Sequence, residues 1–381
     1  MSSLYTWGKN GNGQLGHGGK QDALAPKLAP TSQKLSKAQC AHFHSVALSA
    51  EGAVYSWGRG ALGLLGHGDE EDHEQPHVVS GLQDATVQDV GCGAYHTAVV
   101  TSSGEIRSWG WALVSEGGQV EETFHVSPVP VLAPVTRIMG IACGCYATAV
   151  WSEEGKLLTW GRGGSGQLGH GGYEDEAAPR VVEALEMVHA AKATMGGMQD
   201  LGFMLILGAD GSVHSCGAKE RGRLGRAESG TPNHTPGLVT LSNAVAESPP
   251  SATFAVDVAA SDHHAAAITH SGALYVWGSN EFSRCPPPPP PPAPCMRIGP
   301  VSLPNAAGVG PSCRDSEPCN PLLPSLPLIG PPKGCLLSVP PNEPPPWLSC
   351  NPAHNSASAH CTLSHTPRRL GLQQAGEVPT P

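Results

Sequence analysis

Short runs of alternating apolar and polar residues recur along the chain, each ending in Trp-Gly. They are Leu4-Tyr5-Thr6-Trp7, Val54-Tyr55-Ser56-Trp57, Ile106-Arg107-Ser108-Trp109, Leu157-Leu158-Thr159-Trp160 and Leu274-Tyr275-Val276-Trp277. Residues two apart share one face of an extended chain, so these runs predict half-buried strands. A polar residue and a glycine usually precede them, as in Glu51-Gly52, Ser103-Gly104, Glu154-Gly155, Asp210-Gly211 and Ser271-Gly272. That is hairpin-turn chemistry, because glycine accepts positive φ without strain. Apolar runs at 40–48, 91–100, 142–150 and 260–268, with a degenerate copy at 196–207, mix small residues with Val and Leu. Such runs predict strands packed on both faces near an axis.

The spacing turns these pieces into one repeated unit. Trp-Gly begins at 7, 57, 109, 160 and 277, with Cys216-Gly217 in the gap, giving intervals of 50, 52, 51, 56 and 61 residues. A glycine-dense loop follows: Gly11-Asn12-Gly13-Gln14-Leu15-Gly16-His17-Gly18 returns as Gly164-Ser165-Gly166-Gln167-Leu168-Gly169-His170-Gly171, and more loosely at 63–68 and 222–226. The glycine after the leucine lies nine residues beyond Trp7, Trp57, Trp160 and Cys216. A supersecondary unit copied at this period buries its apolar face only by stacking on its neighbours. About four strands repeated radially make a propeller blade.

Trp-Gly, then Gly-Gln-Leu-Gly-His-Gly, then the Gly-x-x-His-Thr-Ala pattern of Gly93 to Ala98, resembles the regulator of chromosome condensation repeat family over residues 4 to about 278. The resemblance implies an all-β propeller of seven four-stranded blades. It also implies a choice of roles: guanine-nucleotide exchange on a Ran-type GTPase, chromatin docking, UV-B perception in plants, or an interaction module of a ubiquitin ligase. Fold does not select among these. The repeats here amount to about five complete blades plus two partial ones, an incomplete or open form of the seven-bladed ring. We expect the repeats to end near Arg284, with the propeller at 1–284 and a Pro-rich, disordered tail at 285–381 that is not the natural continuation of the ring. That tail holds 26 of the 37 prolines, seven of them consecutive at 286–292, and prolines donate no backbone hydrogen bonds.

Charge narrows the partners. The chain carries a net −10, and residues 1–284 contain 17 basic and 28 acidic residues, a difference of −11. Direct nucleic-acid binding relies on clustered Lys and Arg, so it is not expected, and basic partners are favoured. No signal-peptide pattern opens the chain and no apolar stretch is long enough to span a bilayer, so a cytoplasmic or nuclear location is expected, with no membrane partner. Twelve cysteines show no zinc-type pairing and read as scattered thiols. The histidines recur at equivalent repeat positions (His17, His67 and His170 in the loops, His44 and His96 in the turns), which predicts hydrogen bonding and no metal site. Gly11-x-Gly13-x-x-Gly16 and Gly164-x-Gly166-x-x-Gly169 fit the dinucleotide fingerprint, but prolines follow where that motif needs a helix, so no cofactor is expected. No catalytic constellation is evident.

The candidate binding residues are acidic. Asp69, Glu70, Glu71 and Asp72 follow one Gly loop, and Glu174, Asp175 and Glu176 follow another at the same repeat position, which puts both runs on one face. Glu121 and Glu122 extend the set. The resemblance implies that exchange-active members place acids and histidines in the turns of one face. Here the turns Gly93-Ala94-Tyr95-His96 and Gly144-Cys145-Tyr146-Ala147 lack an acid, and only Asp262 and His263 suit that role. It also implies that photoreceptor members cluster tryptophans there, where this chain has Phe43, Tyr95, Tyr146, Met198 and His263. The third unit departs from the pattern, with 111–118 replacing the Gly-Gln-Leu-Gly loop. The expected function is therefore a non-enzymatic propeller that binds a protein client on one face. The alternatives are an exchange factor for a Ran-type small GTPase and a fragment of a larger ubiquitin-ligase-type protein.

Overall fold

The computed structural model describes residues 3–31, 33–116, 119–135, 137–226, 230–241, 254–279, 300–301 and 335–339. The Trp-Gly period appears as a succession of antiparallel sheets. Blade 1 holds β1 (Ser3–Gly8) and β2 (Ala23–Leu28). Blade 2 is β3 (Leu35–Cys40), β4 (His44–Ser49), β5 (Val54–Gly58) and β6 (His73–Val78); blade 3 is β7 (Val87–Cys92), β8 (His96–Thr101), β9 (Ile106–Glu116) and β10 (Gln119–Val131). Blade 4 is β11 (Ile138–Cys143), β12 (Ala147–Ser152), β13 (Leu157–Gly161) and β14 (Glu176–Val181). Blade 5 is β15 (Ala190–Gly196), β16 (Phe203–Gly208), β17 (Val213–Gly217) and β18 (Gly237–Leu238). Blade 6 is β19 (Ala255–Ala260), β20 (His264–Thr269), β21 (Leu274–Gly278) and β22 (Pro300–Val301), while β23 (Cys335–Val339) pairs with β1.

Five blades therefore have four strands each, as the repeats predict, in a propeller arrangement. The two strands of blade 1 gain β23 as a third, which covers an edge of β1. The sequence reading places no strand in 285–381. The structure forms β22 and β23 there, and the rest of that stretch, with prolines 286–292, lies outside the described residues.

The core is divided among the blade interfaces. Five hydrophobic clusters each join neighbouring sheets; one of them packs Val46, Leu48 and Val54 of blade 2 against Val90, Val99 and Trp109 of blade 3. The Trp-Gly repeat is explained by this stacking. Trp57 Nε1 donates to Gln14 O of the preceding blade at 2.9 Å, Trp109 Nε1 to Leu64 O at 3.0 Å, and Trp277 Nε1 to Arg223 O at 2.9 Å. Cys216 fills the same place with a thiol 3.6 Å from Gln167 O. Each Gly loop is also fixed to its own blade. The Thr6, Ser56, Thr159 and Ser215 hydroxyls donate to Leu15, Leu65, Leu168 and Leu224 carbonyls, and His17, His67 and His170 bond to the first three hydroxyls. These loop glycines form turns, not a nucleotide cradle opening a helix.

Polar groups also bridge blades nearer the axis. His44 Nε2 bonds Thr97 Oγ1 and His96 Nε2 bonds Thr148 Oγ1, both at 2.7 Å and buried. Lys37 pairs with Asp89, and Lys192 with the buried Asp257, each across one interface. Arg223 stands where Gln14 and Gln167 stand in other loops; it is 1% exposed and donates to Leu201 O at 2.9 Å and Asp262 O at 3.1 Å. It thus ties the inner turns of blades 5 and 6. Arg223→Ala strips those carbonyls of their donor, and the expected loss is about 2 kcal/mol in urea unfolding. Arg223→Gln is expected to recover part of it; equal losses for the two variants would count against the bridging role.

Candidate docking face

The strand order puts the first turn and the long third-to-fourth-strand loop of every blade at one end of the propeller. The turns at 41–43, 93–95, 144–146, 197–202 and 261–263 therefore share a face with the Gly loops. Glycines of the loops let the backbone pass beside neighbouring blades. Gly16, at φ +76°, lies so near Trp57 that a Cβ would stand 2.8 Å from Nε1.

The predicted acids divide into two kinds on this face. Asp72 Oδ1 accepts the Gly60 N–H at 3.0 Å and Asp175 Oδ1 accepts that of Gly163 at 2.8 Å. Asp22 does the same for Asn10 at 2.9 Å. All three sit 15 residues after their tryptophan (7, 57 and 160), a spacing in the sequence that marks them as loop clamps. Burial works against ionised Asp72, but the hydrogen bonds from Lys20 and Gly60 hold its carboxyl below the usual range. Glu176 pairs with Arg180 at 2.5 Å along β14. Asp69, Glu70, Glu71 and Glu174 remain exposed; Asp69 also accepts the Glu71 N–H at 3.0 Å. Asp262 lies away from this rim, 2% exposed, with its carboxylate 3.6 Å from His42 Nε2 in the turn of blade 2. His263 beside it is half-buried.

Blade 3 supplies the element between the two acidic runs. In place of a Gly loop, β9 and β10 continue past the blade as a hairpin, with Glu122 opposite Leu113 and Phe124 opposite Trp111. Glu121, Glu122, Val120 and Phe124 are exposed along it. Glu122 forms an ion pair with Arg162 of blade 4, which holds the Glu122 carboxyl below its usual range and lifts the Arg162 guanidinium.

Inside this acidic arc runs an aromatic ladder built from turn positions that the sequence reading grouped without assigning them contacts. Phe43 and Tyr95 have ring centroids 5.7 Å apart, and Tyr95 stacks on Tyr146 at 4.6 Å with an interplanar angle of 10°. Trp111 meets the edge of Tyr146 at 5.0 Å. Arg162 covers Tyr146 at 4.3 Å and Arg59 covers Phe43 at 5.4 Å, cation–π contacts that cap both ends. Burial, with Tyr95 adding to it, pushes the Tyr146 phenol up. The rings stand about one repeat apart in sequence, and only the blade geometry brings them together.

A second grouping also escaped the sequence reading. In β6 the pairing shifts so that His73 faces Gly58 and His77 faces Ser56, four residues spanning two. That bulge brings the two imidazoles to 4.9 Å, and His67 of the Gly loop lies 4.6 Å from His73 and 5.0 Å from His77. The same bulge in blade 4 carries Glu176 and Arg180. Among the described residues no set of three His, Cys, Asp or Glu side chains is arranged to hold a metal ion, and no helix is long and apolar enough to cross a membrane.

The architecture defines a propeller built from repeated blades. The sequence profile of the "Regulator of chromosome condensation (RCC1) repeat" matches residues 2–48, 51–100, 154–199 and 210–268, and a second profile of that repeat matches 255–284; the chain belongs to this family. The unmatched span 101–153 contains the hairpin. The chain is 30% identical over 187 residues to the "Ultraviolet-B receptor UVR8" of Arabidopsis thaliana, covering 48% of this chain and 42% of that protein. It is 29% identical over 286 residues to the "E3 ubiquitin-protein ligase HERC2" of Homo sapiens, covering 73% of this chain and 6% of the ligase. It thus spans less than half of either relative. The crystal structure of human WBSCR16 shares the fold, with a TM-score of 0.61 at 20% identity over 73% of this chain and 74% of that one.

Proposed function

We propose that this propeller is a non-enzymatic interaction module that binds a protein client across blades 2 to 4 of the turn-and-loop face. The observation that carries the reading is the concentration of contact chemistry in one sector. An acidic arc of Asp69, Glu70, Glu71, Glu121 and Glu174 surrounds the Phe43–Tyr95–Tyr146 ladder there, with Val120 and Phe124 exposed on the hairpin. Aromatic anchors within a polar rim are the usual anatomy of a protein interface. The negative arc favours a client that presents Lys and Arg, and opposite charge also speeds encounter. Asp72 and Asp175 contribute mainly by holding the loops that display the others.

Lysine-directed cross-linking of the full chain in cells tests this reading, because lysines mark both ends of the propeller. Lys9 and Lys20 lie at the turn-and-loop end on the blade 1 loop, where Lys20 reaches Asp72 of blade 2, whereas Lys34 and Lys156 lie at the opposite end. Client cross-links are expected from Lys9 and Lys20, and the triple variant Glu70→Lys, Glu71→Lys, Glu174→Lys is expected to lower client recovery about tenfold or more. Recovery undiminished in that variant, with cross-links from Lys34 and Lys156, would reject the face.

A further inference from the structure

The imidazoles of His67, His73 and His77 precede, interrupt and follow the acidic run 69–74, and no part of the docking reading uses them. Their ring centroids form a triangle with sides of 4.6, 4.9 and 5.0 Å. His67 is half-buried and bonds Ser56 Oγ through Nε2 at 3.1 Å, which fixes the Gly loop of blade 2 to its own third strand. His77 is exposed, and His73 opens with Asp72 and Glu74 onto a cleft that reaches Gly18 of blade 1. Solvent protons therefore reach the cluster. Blades 1 and 4 carry Lys27 and Arg180 where blade 2 carries His77, so in those blades the matching position holds a permanent cation.

We propose that His67, His73 and His77 form a proton switch on the acidic strip Asp69, Glu70, Glu71, Asp72 and Glu74, which holds a basic segment at neutral pH and releases it in mild acid. The inference rests on the docking reading for its partner, but not for its structural half. An imidazole charges between about pH 5 and 8, a window in which carboxylates stay ionised. Five carboxylates in the strip then face new positive charge on the two outer rings, His73 and His77. These charges repel one another across 4.9 Å, and the ring least able to accept one is His67. Burial, and then His73 and His77, hold its pKa down to about 4. Protonation of the outer pair thus strains the Ser56 clasp and loosens the loop that displays the acids.

The surrounding charges are accounted for on each packed element. Asp69 lies on the loop itself, and Asp72 and Glu74 on or beside β6. Lys20 of blade 1 and Arg59 at the start of the loop both act on Asp72. His125 of blade 3 offers its backbone carbonyl to the packing of Gly63. On His67 the two other imidazoles act more strongly than Asp69.

The test compares the full chain with the double variant His73→Gln, His77→Gln, which keeps polar side chains at both sites. Fluorescence anisotropy follows a fluorescein-labelled octalysine peptide at about pH 7.5 and about pH 5.5, at fixed ionic strength with EDTA throughout. Affinity of the parent chain is expected to fall about tenfold on acidification, and that of the variant less than about twofold. Amide hydrogen exchange of Gly66 and Gly68 is read alongside as protection factors, with the intrinsic pH dependence of exchange divided out, and lower protection at the lower pH in the parent alone supports the switch. Equal pH responses of the two proteins, in both readouts, overturn it. A pH response in the parent that appears only when EDTA is replaced by zinc assigns the cluster to a metal and also overturns it. Failure of octalysine to bind either protein at either pH counts against the docking reading, and the exchange rates then decide the switch by themselves.

Discussion

Trp57→Ala is expected to lower the unfolding free energy by about 3–5 kcal/mol, a large part of the roughly 5–15 kcal/mol that holds a typical domain folded. Trp57 is fully buried, packs with Leu4, Ala29 and Ala47 between blades 1 and 2, and gives its indole N–H to Gln14 O. Its removal opens a cavity, which carries most of the cost, and takes one of two donors from Gln14 O, which the Ser45 hydroxyl still serves at 2.8 Å. A matched pair of glycine substitutions separates the clamp from general loop strain. Gly16 and Gly169 have nearly the same φ, +76° and +77°, so alanine at either meets similar left-handed backbone strain. Only at Gly16 would the new Cβ meet an indole, 2.8 Å from Trp57 Nε1; at Gly169, whose partner blade has Cys216 in place of tryptophan, the nearest atom is Pro236 Cγ at 3.1 Å. Gly16→Ala is therefore expected to cost about 1–2 kcal/mol more than Gly169→Ala in urea titrations followed by circular dichroism. Equal costs would show that the tryptophan clamp is not what constrains the loop.

This clamp marks how far the sequence could be read. The alternation before each Trp-Gly and the fixed nine-residue step to the loop glycine are local features, set by strand period and turn chemistry, and the structure keeps them as β1, β5, β9, β13, β17 and β21. The placement of both acidic runs on one face follows from the strand order within a blade, which the repeat already implies. The roles of individual acids did not follow as readily. Asp72 and Asp175 look like Glu70 and Glu174 in a charge pattern, yet they cap backbone amides. The shared 15-residue step from the tryptophans, with Asp22 at the same step in blade 1, was the available sign. The shared turn positions of Phe43, Tyr95 and Tyr146 were legible in the repeat, whereas their ring contacts depend on the curvature between blades, which no local pattern encodes. The imidazole trio depends on a bulge that makes four residues of β6 span two of β5, so ordinary strand alternation gives no hint of it. Asp262 follows the turn pattern in sequence but is drawn inward to His42, a contact between the second and sixth blades that pairwise neighbour reasoning misses.

Mild acid is expected to destabilise the whole propeller, in proportion to two buried histidines and not to the net charge. His44 and His96 each reach across a blade interface to a threonine hydroxyl at 2.7 Å, and both are at most 5% exposed. Burial holds the pKa of His44 down to about 3, with His96 adding a smaller effect, and holds His96 down to about 4. An unfolded chain restores both to about 6.5, so between these values the unfolded state binds more protons than the folded one. Stability then rises with pH across that interval. The neutral-imidazole contribution is fully present above about pH 6.5 and is lost progressively as pH falls toward 4 and then 3. The combined loss between about pH 7 and pH 4.5 is on the order of 5 kcal/mol, given 1.36 kcal/mol per pKa unit and about two units traversed at each of two sites. His96→Gln is expected to begin less stable at neutral pH, because glutamine fits the Thr148 contact less well, yet to show a shallower slope through the same interval. Urea unfolding at a series of pH values measures both quantities at once. A variant slope as steep as that of the parent would place the acid sensitivity elsewhere. The separation from the surface cluster is built into the same measurement. The His67, His73 and His77 trio controls one loop and its local exchange, whereas His44 and His96 sit between blades, where a lost contact is felt by every strand stacked on either side.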